Sequence, residues 1–134
     1  MKSDLTTKLR KGKETVLLID DDDMVADVGE QILNHSGYDV VSAKSGKEAI
    51  EVYKANQGRI DMAILDVILP DMSVMDTYDR LKEINPGIKV LLASGYDIDS
   101  QASDIMKRGC NGFIQKPFNM GELLEKIREI LASK

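Results

Sequence analysis

The sequence predicts an α/β fold in which helices cover both faces of a five-stranded parallel sheet. The first observation is that short apolar runs and amphipathic segments alternate five times between residues 15 and 132. The second is that each apolar run is bounded by Gly, Asn, Asp or Ser, as strands buried on both faces usually are. The third is that the links between segments are short, which favours right-handed crossovers through helices packed on the sheet.

The five predicted strands are short and rich in aliphatic residues. They are Val16–Asp20, Asp39–Ala43, Met62–Asp66, Lys89–Ser94 and Gly112–Gln115. Strands that are buried on both faces need no alternation of polar and apolar side chains, so a continuous apolar run is the expected pattern. A chain of 134 residues is long enough for one such domain with its own core, and it contains no internal repeat.

The predicted helices between the strands carry sequence signals at their ends. Ser45 and Glu48 form a capping-box pattern at the start of the second helix, and Asn119 and Glu122 form one at the start of the fifth. Glycines at positions 37 and 109 are typical of residues that follow a helix C-terminus. The third helix is predicted over Ser73–Ile84 and is ended by the Asn-Pro-Gly sequence that follows.

Apolar side chains at helical spacing indicate which helix faces turn toward the sheet. In the first helix the predicted inward stripe is Val25, Val28, Ile32 and Leu33. In the third helix it is Met75, Tyr78 and Leu81. Such stripes are typical of helices that pack one face on a core and leave the other in water.

Composition excludes several classes of function. Eighteen basic and 23 acidic residues give a net charge of −5, which argues against non-specific binding to nucleic acid or to an anionic membrane. The single histidine excludes a histidine-based zinc site, and the single cysteine excludes an intrachain disulfide. No apolar stretch has membrane-spanning length and the N-terminus lacks a signal peptide's apolar core, so we expect a cytoplasmic protein. We expect residues 1–14 to be a flexible leader ahead of one domain, residues 15–134.

Charged and hydroxyl side chains follow the ends of four predicted strands. The first strand runs into four consecutive aspartates, Asp20–Asp23. The third ends in Asp66, the fourth ends in Ser94, and the fifth is followed by Lys116. Because the carboxyl ends of parallel strands lie along one edge of a sheet, where ligands of such folds bind, we expect these groups to converge.

These residue types fit a site that handles phosphate. Neighbouring carboxylates repel one another and lose hydration on burial, so a cluster of them favours a bound cation. Carboxylates at two strand ends suit Mg²⁺, which prefers oxygen ligands and keeps several waters. An aspartate can act as a nucleophile, while a hydroxyl and an ammonium can bind phosphoryl oxygens. Asp22 and Asp23 are instead expected at the start of the first helix, capping free N–H groups, with a metal-ligand role as the alternative.

In these strand-end residues and their spacing, the chain resembles the receiver domains of two-component response regulators over residues 14–132. The resemblance implies a flavodoxin-like (βα)5 fold with strand order 2-1-3-4-5. It implies that Asp66 is the phosphoacceptor and that Lys116 binds the phosphoryl group. It also implies a Mg²⁺ site formed by Asp21, Asp66 and the backbone carbonyl of Ile68, with Asp20 acting through water.

The resemblance further implies a conformational switch and a set of partners. Ser94 is the hydroxyl expected to move toward the phosphoryl group, and Phe113 occupies the aromatic switch position. The expected phosphoryl donor is a phosphohistidine on a histidine kinase or a histidine phosphotransfer protein. A downstream target would bind the face formed by the fourth helix, fifth strand and fifth helix. The bond between Lys116 and Pro117 is expected to be cis, and the domain would catalyse only its own phosphorylation and dephosphorylation.

One residue departs from the family pattern. Val74 stands where these domains usually have glycine. Because a β-branched residue strongly disfavours positive φ, we expect the loop after Asp66 to follow a different path or to start the third helix differently. The identity of the site does not depend on this residue.

Three other interpretations remain open on the sequence alone. The chain can be a receiver from a larger protein, such as a hybrid sensor histidine kinase, rather than a free-standing regulator. It can be an aspartyl-nucleophile phosphohydrolase, although such enzymes typically carry a second Asp two residues after the nucleophile, where this chain has Ile68. It can also be a degenerate receiver that binds partners without phosphorylation, which the intact acidic residues, Ser94 and Lys116 disfavour.

Overall fold

The computed structural model describes residues 14–95 and 100–133. The predicted leader, residues 1–14, therefore lies outside the described residues apart from Glu14. Five strands alternate with five helices, as the sequence predicts. The strands are β1 (Thr15–Ile19), β2 (Asp39–Ala43), β3 (Met62–Asp66), β4 (Val90–Ser94) and β5 (Gly112–Gln115). The helices are α1 (Asp23–His35), α2 (Gly46–Ala55), α3 (Val74–Ile84), α4 (Ser100–Lys107) and α5 (Met120–Ala132).

The strands form one parallel sheet in the order β2-β1-β3-β4-β5. This is the order that the family resemblance implies. The three inner strands are the most apolar: every residue of β1, β3 and β4 is buried. In the register of the sheet, Ile19 of β1 lies beside Leu65 of β3, and Asp66 of β3 lies beside Ala93 of β4. The last residues of these strands therefore lie together at one edge.

The core consists of two apolar clusters, one on each face of the sheet. Helices α1 and α5 contribute to the first cluster with Leu33, Leu123, Ile127 and Ile130. Helices α2, α3 and α4 contribute to the second, which includes Tyr53, Tyr78, Leu81 and Ile105. Burial of each such side chain is worth about 1.5–3 kcal/mol, so both clusters hold the strand ends in a fixed arrangement.

The helix starts use the capping residues that the sequence indicates. The side chains of Ser45 and Asn119 accept hydrogen bonds from the third backbone N–H of α2 and α5. Ser73 does the same for α3, so this helix begins at Val74. At the other end of α1, Gly37 has φ of 96°, a left-handed conformation that favours glycine.

Three details differ from the sequence prediction. Strand β1 begins and ends one residue earlier than predicted, so Asp20 lies just beyond it. Strand β4 begins at Val90, one residue later than predicted, and the Lys89 ammonium donates to the carbonyls of Leu131 and Ser133 at the end of α5. The inward stripe of α1 is wrong at Val28, which is 52% exposed because it borders an open groove. Within the described residues, no helix combines the length and apolarity needed to cross a bilayer.

Candidate functional site

The sheet brings the predicted strand-end residues to one edge. Asp20 and Asp21 follow β1, and Asp66 is the last residue of β3. Ser94 is the last residue of β4, and Lys116 follows β5. A backbone hydrogen bond from the Lys116 N–H to the Ser94 carbonyl, 2.6 Å long, extends the pairing of β4 and β5 into the site. The topology alone therefore accounts for the convergence.

Three carboxylates form the acidic side of the site. Asp20, Asp21 and Asp66 each offer an oxygen, and these oxygens all lie within 4.8 Å of one another. Asp20 and Asp66 are buried, at 4% and 6% exposure, whereas Asp21 is exposed. An all-oxygen set of this kind fits a hard cation such as Mg²⁺ or Ca²⁺, not a thiolate- or imidazole-seeking metal. These residues could therefore hold a metal ion that water can reach from the side of Asp21.

Lys116 forms the basic side of the site. Its Nζ lies 3.1 Å from Asp20 Oδ2 and 3.3 Å from Asp66 Oδ1, with the side chain only 17% exposed. Burial works against the charged ammonium, but the carboxylates of Asp66 and Asp20 outweigh burial and raise the pKa of Lys116. The formal charges of three carboxylates and one ammonium sum to −2, so this cluster favours a cation.

Asp66 is a carboxylate held near its point of protonation. Burial and the charge of Asp20 raise the pKa of Asp66 to about 6, against the opposing effect of the Lys116 ammonium. The backbone N–H of Ile68 also donates to Asp66 Oδ1, at 3.4 Å. At neutral pH most of this carboxylate is ionised, and its partners do not fully offset the cost of burying the charge. It can therefore act as a nucleophile.

The aspartate run divides at its midpoint, as the sequence predicts. Asp22 caps α1: its side chain accepts hydrogen bonds from the N–H groups of Met24 and Val25, at 3.0 and 3.3 Å. Asp23 lies in the first turn of α1 and forms an exposed ion pair with Lys44, at 2.8 Å. Neither belongs to the three-carboxylate cluster. Among the described residues, the carboxylates close enough to share a metal ion are therefore those in the first half of the run and Asp66.

The predicted switch residues lie on the neighbouring strands. Ser94 is buried, at 4% exposure. Phe113 of β5 is half-buried and packs against the cluster that α2, α3 and α4 form with the sheet. The bond between Lys116 and Pro117 is cis, as the resemblance implies. Ser94 therefore lies at the site, whereas Phe113 lies between the sheet and the neighbouring helices.

The loop after Asp66 accommodates Val74 without a positive φ. No described residue other than glycine has positive φ, and Val74 is the first residue of α3. Its side chain is 1% exposed and belongs to the core. In this structure the valine is the first residue of the helix, and Ser73 caps it. Whether the loop departs from the path usual in the family stays a prediction.

Two features of the site region were missed by the sequence analysis. The first is Asp71, whose carboxylate accepts hydrogen bonds from the N–H groups of Gly46 and Lys47. No local pattern reveals this contact, because the partners lie 24 and 25 residues away. The second is a groove beside Lys116, lined by apolar residues of α1 and of the segment after β5: Met24, Val25, Val28, Pro117 and Phe118. The apolar pattern of α1 could have indicated it, since Met24 falls outside the predicted inward stripe.

Comparisons with known proteins agree on one family. The model of the response regulator receiver domain matches residues 16–128. The sensor kinase CckA of Brucella abortus is 35% identical over 120 residues, which cover 90% of this chain and 13% of the kinase. The chemotaxis protein CheY of Thermotoga maritima is 28% identical over 116 residues, which cover 86% of this chain and 95% of that protein.

Solved structures lead to the same fold. A CheY-like receiver domain protein from Methanospirillum hungatei superposes with a TM-score of 0.78 at 32% identity, covering 88% of this chain and 93% of that one. The receiver domain of the hybrid histidine kinase CckA gives a TM-score of 0.74 at 28% identity and covers 87% of this chain. The chain spans 13%, 32% and 49% of the length of the first three curated relatives.

Proposed function

Because the chain belongs to the response regulator receiver domain family of two-component systems, we propose that it accepts a phosphoryl group on Asp66. The donor would be a phosphohistidine on a histidine kinase or a histidine phosphotransfer protein. The observation that carries the proposal is the environment of Asp66: a buried carboxylate with a pKa raised to about 6, beside Lys116 and two further carboxylates. This arrangement supports the proposal, because it would set a nucleophile beside groups that stabilise developing charge.

The proposed cofactor is Mg²⁺. The ligands would be Asp21, Asp66 and the backbone carbonyl of Ile68, with Asp20 acting through water. When bound, the ion would neutralise charge on the transferred phosphoryl oxygens. The fit rests on the three carboxylate oxygens within 4.8 Å of one another and on the negative charge that Lys116 alone leaves uncompensated.

The proposed reaction moves one phosphoryl group. A carboxylate oxygen of Asp66 attacks phosphorus and forms a new O–P bond, while the N–P bond to the donor imidazole breaks and the nitrogen keeps the electron pair. Lys116 pairs with a phosphoryl oxygen as a point charge, and the Ser94 hydroxyl donates a hydrogen bond to another. The product is an acyl phosphate that adds about −1.5 to −2 charge to the site.

The groove beside Lys116 is suited to binding a protein donor. Met24 and Val28 are 78% and 52% exposed, and Pro117 and Phe118 line the opposite side. A partner that covers these apolar side chains would lie next to Asp66, where its phosphohistidine has to arrive. For output, we propose that a downstream target binds the face of α4, β5 and α5 and prefers one of the two states of Ser94 and Phe113.

One alternative concerns the whole protein rather than the domain. The 35% identity with the sensor kinase CckA covers 90% of this chain but only 13% of the kinase. A role as the receiver part of a hybrid sensor kinase is therefore the second candidate. It predicts the same chemistry at Asp66 and a donor histidine within the same polypeptide.

The test is formation of an adduct on Asp66. The full chain is incubated with Mg²⁺ and acetyl phosphate, and intact-mass measurement should show one added phosphoryl group. Asp66→Asn should abolish the adduct, because the amide has no nucleophilic oxygen comparable to the carboxylate. Asp22→Asn is the matched control, since this residue of the same run lies outside the cluster. A folded wild-type chain without an adduct, or an adduct that survives Asp66→Asn, would contradict the proposal.

A further inference from the structure

Asp71 joins two segments that are distant in sequence. Its Oδ1 accepts a hydrogen bond from the N–H of Gly46 and its Oδ2 accepts one from the N–H of Lys47, both at 2.9 Å. The third N–H of α2, that of Glu48, donates to Ser45 Oγ at 3.0 Å. The first two free donors of α2 are therefore satisfied by the loop after β3, and the third by the helix's own cap.

The charge of Asp71 suits this position. The hydrogen bond from Lys47 lowers the pKa of Asp71 the most; partial desolvation opposes this, and the bond from Gly46 lowers it further. A negative charge at a helix N-terminus is also favoured by the helix dipole. The carboxylate thus stays ionised and doubly bonded throughout the neutral pH range.

The loop that carries Asp71 is held at its base as well. Ile68 and Ser73 form an isolated antiparallel bridge that closes the loop. Ser73 also caps α3, and its carbonyl accepts a hydrogen bond from Thr77 Oγ1 at 2.9 Å. Between Ile68 and Asp71 stand only Leu69 and Pro70, and the proline fixes its own φ. A change at Asp71 therefore reaches Ile68 through a short and constrained path.

The start of α2 is in close contact with the same loop. A Cβ placed on Gly46 would lie 2.7 Å from Thr77 Oγ1 and 2.8 Å from Met72 Sδ. Contacts this short require glycine or a shift of the Met72 side chain of the loop and the Thr77 side chain of α3. The hydrogen bonds of Asp71 consequently connect a loop and a helix start that already pack against each other. We therefore expect these bonds to fix the position of the loop.

The loop enters the site through Ile68. The Ile68 N–H donates to Asp66 Oδ1, at 3.4 Å, and this places its backbone beside the carboxylates. We propose that Asp71 is a positioning residue for the metal site: by tying the loop to the start of α2, it fixes the backbone of Ile68 beside Asp20, Asp21 and Asp66. This inference rests on the proposed function, since it takes Mg²⁺ as the ion that the site binds.

The test separates positioning from simple helix capping. Asp71→Ala removes the tie between the loop and α2, whereas Ser45→Ala removes a cap of the same helix and leaves the tie intact. Mg²⁺ is titrated into each full-length variant without phosphorylation, and backbone amide shifts give Kd. Asp71→Ala should raise Kd about tenfold, as loss of a residue that orients ligands does. Ser45→Ala should stay within about twofold of the wild type, because its effect is confined to α2.

Hydrogen exchange provides the second measurement. Asp71→Ala should speed exchange at the amides of Gly46, Lys47 and Ile68, whereas Ser45→Ala should speed it at Glu48. Asp71→Asn keeps one accepting oxygen, so its Kd should lie between those of the wild type and Asp71→Ala; it also serves if the alanine variant does not fold.

The outcomes distinguish this inference from the proposed function. Equal Kd values for Asp71→Ala and the wild type would overturn the positioning role, and so would an equal rise in Asp71→Ala and Ser45→Ala. A wild-type chain that binds Mg²⁺ but takes no phosphoryl group from acetyl phosphate would contradict the proposed function alone. A wild-type chain that shows no response to Mg²⁺ would contradict both.

Discussion

Two sets of carboxylates at the same end of the sheet have opposite surroundings. Asp20 and Asp66 are buried, lie close to each other, and share the ammonium of Lys116. Asp22 and Asp71 are exposed and accept two backbone N–H bonds each at a helix start. Burial and a like charge raise the pKa of Asp66 to about 6, whereas helix N–H donors lower that of Asp71.

The difference shows how one residue type serves chemistry in one place and structure in another. The capping carboxylates gain their partners when the chain folds, so they stabilise the fold without any ligand. The buried carboxylates lose hydration on folding and repel each other, so they gain from a cation or a proton. In this molecule the set to which we assign the chemistry is the one that the fold leaves incompletely compensated.

The largest expected effect comes from removing the ammonium that the buried set shares. Lys116→Met deletes the contacts to Asp20 and Asp66 at 3.1 and 3.3 Å. We expect the rate of phosphorylation by acetyl phosphate to fall at least about a hundredfold, as it does when a preorganised charge-stabilising donor is lost. The rate is followed by intact mass against time. Lys44→Met is the control, since Lys44 pairs with Asp23 in an exposed ion pair; equal rates in both variants would contradict the role of Lys116.

A medium effect is expected from the pH dependence of stability. The folded pKa of Asp66, about 6, lies above its ordinary value of 3.8, so the folded state binds the proton more tightly than the unfolded state. Stability should therefore fall as pH rises from about 4 to about 6 and then level off. In the absence of metal, Asp66→Asn should be more stable than the wild type at pH 7.5 by about 1–2 kcal/mol, allowing for solvent screening.

Thermal or urea unfolding at several pH values measures this difference. The difference in stability between Asp66→Asn and the wild type should vanish below about pH 4, where Asp66 is protonated in both the folded and the unfolded state. Mg²⁺ should raise the stability of the wild type more than that of Asp66→Asn. Asp22→Asn, which keeps a capping side chain outside the cluster, should show no such gain at pH 7.5. A wild type that is more stable than Asp66→Asn at this pH without metal would refute the electrostatic account.

The smallest effects are expected from substituting Asp21 and Asp22, the two adjacent residues between which the aspartate run divides. Asp22→Ala should lower the free energy of unfolding by about 1 kcal/mol, because α1 loses its cap, and should leave the Kd for Mg²⁺ within about twofold. Asp21→Ala should weaken Mg²⁺ binding clearly and change stability little, since Asp21 is exposed. Chemical denaturation and Mg²⁺ titration of both variants give the comparison. The reverse pattern would show that the run divides elsewhere.

Much of the fold could be predicted because parallel strands that are buried on both faces appear in the sequence as short, continuous apolar runs. The bounds of β2, β3 and β5 agree with the predicted runs, and the caps Ser45 and Asn119 act as their patterns indicate. The order of the strands was taken from the family resemblance, because the sequence of a strand does not indicate which strands lie next to it in the sheet. The convergence of Asp66 and Lys116 followed from the rule that parallel strands end at one edge.

The rest depends on tertiary contacts that no local pattern contains. The exposure of Val28 depends on which neighbour packs against that side of α1, and an apolar stripe cannot show that none of the described residues buries it. Asp71 looks like an ordinary loop residue until the fold brings the start of α2 against it. The sequence alone did not show that Val74, a β-branched residue, would be the first residue of a helix that Ser73 caps.

The contacts of Asp20 affect how a cation would enter the site. Its Oδ1 accepts the N–H of Asp22 at 2.9 Å and its Oδ2 accepts Lys116 Nζ at 3.1 Å, so both oxygens are already engaged. Asp21, the next residue, faces water. If the proposed metal site is correct, a cation that arrives from solution would meet Asp21 first and would compete with Lys116 for Asp20 only afterwards. Capture and final seating of the ion would then be separate steps, the first depending on Asp21 and the second on Asp20.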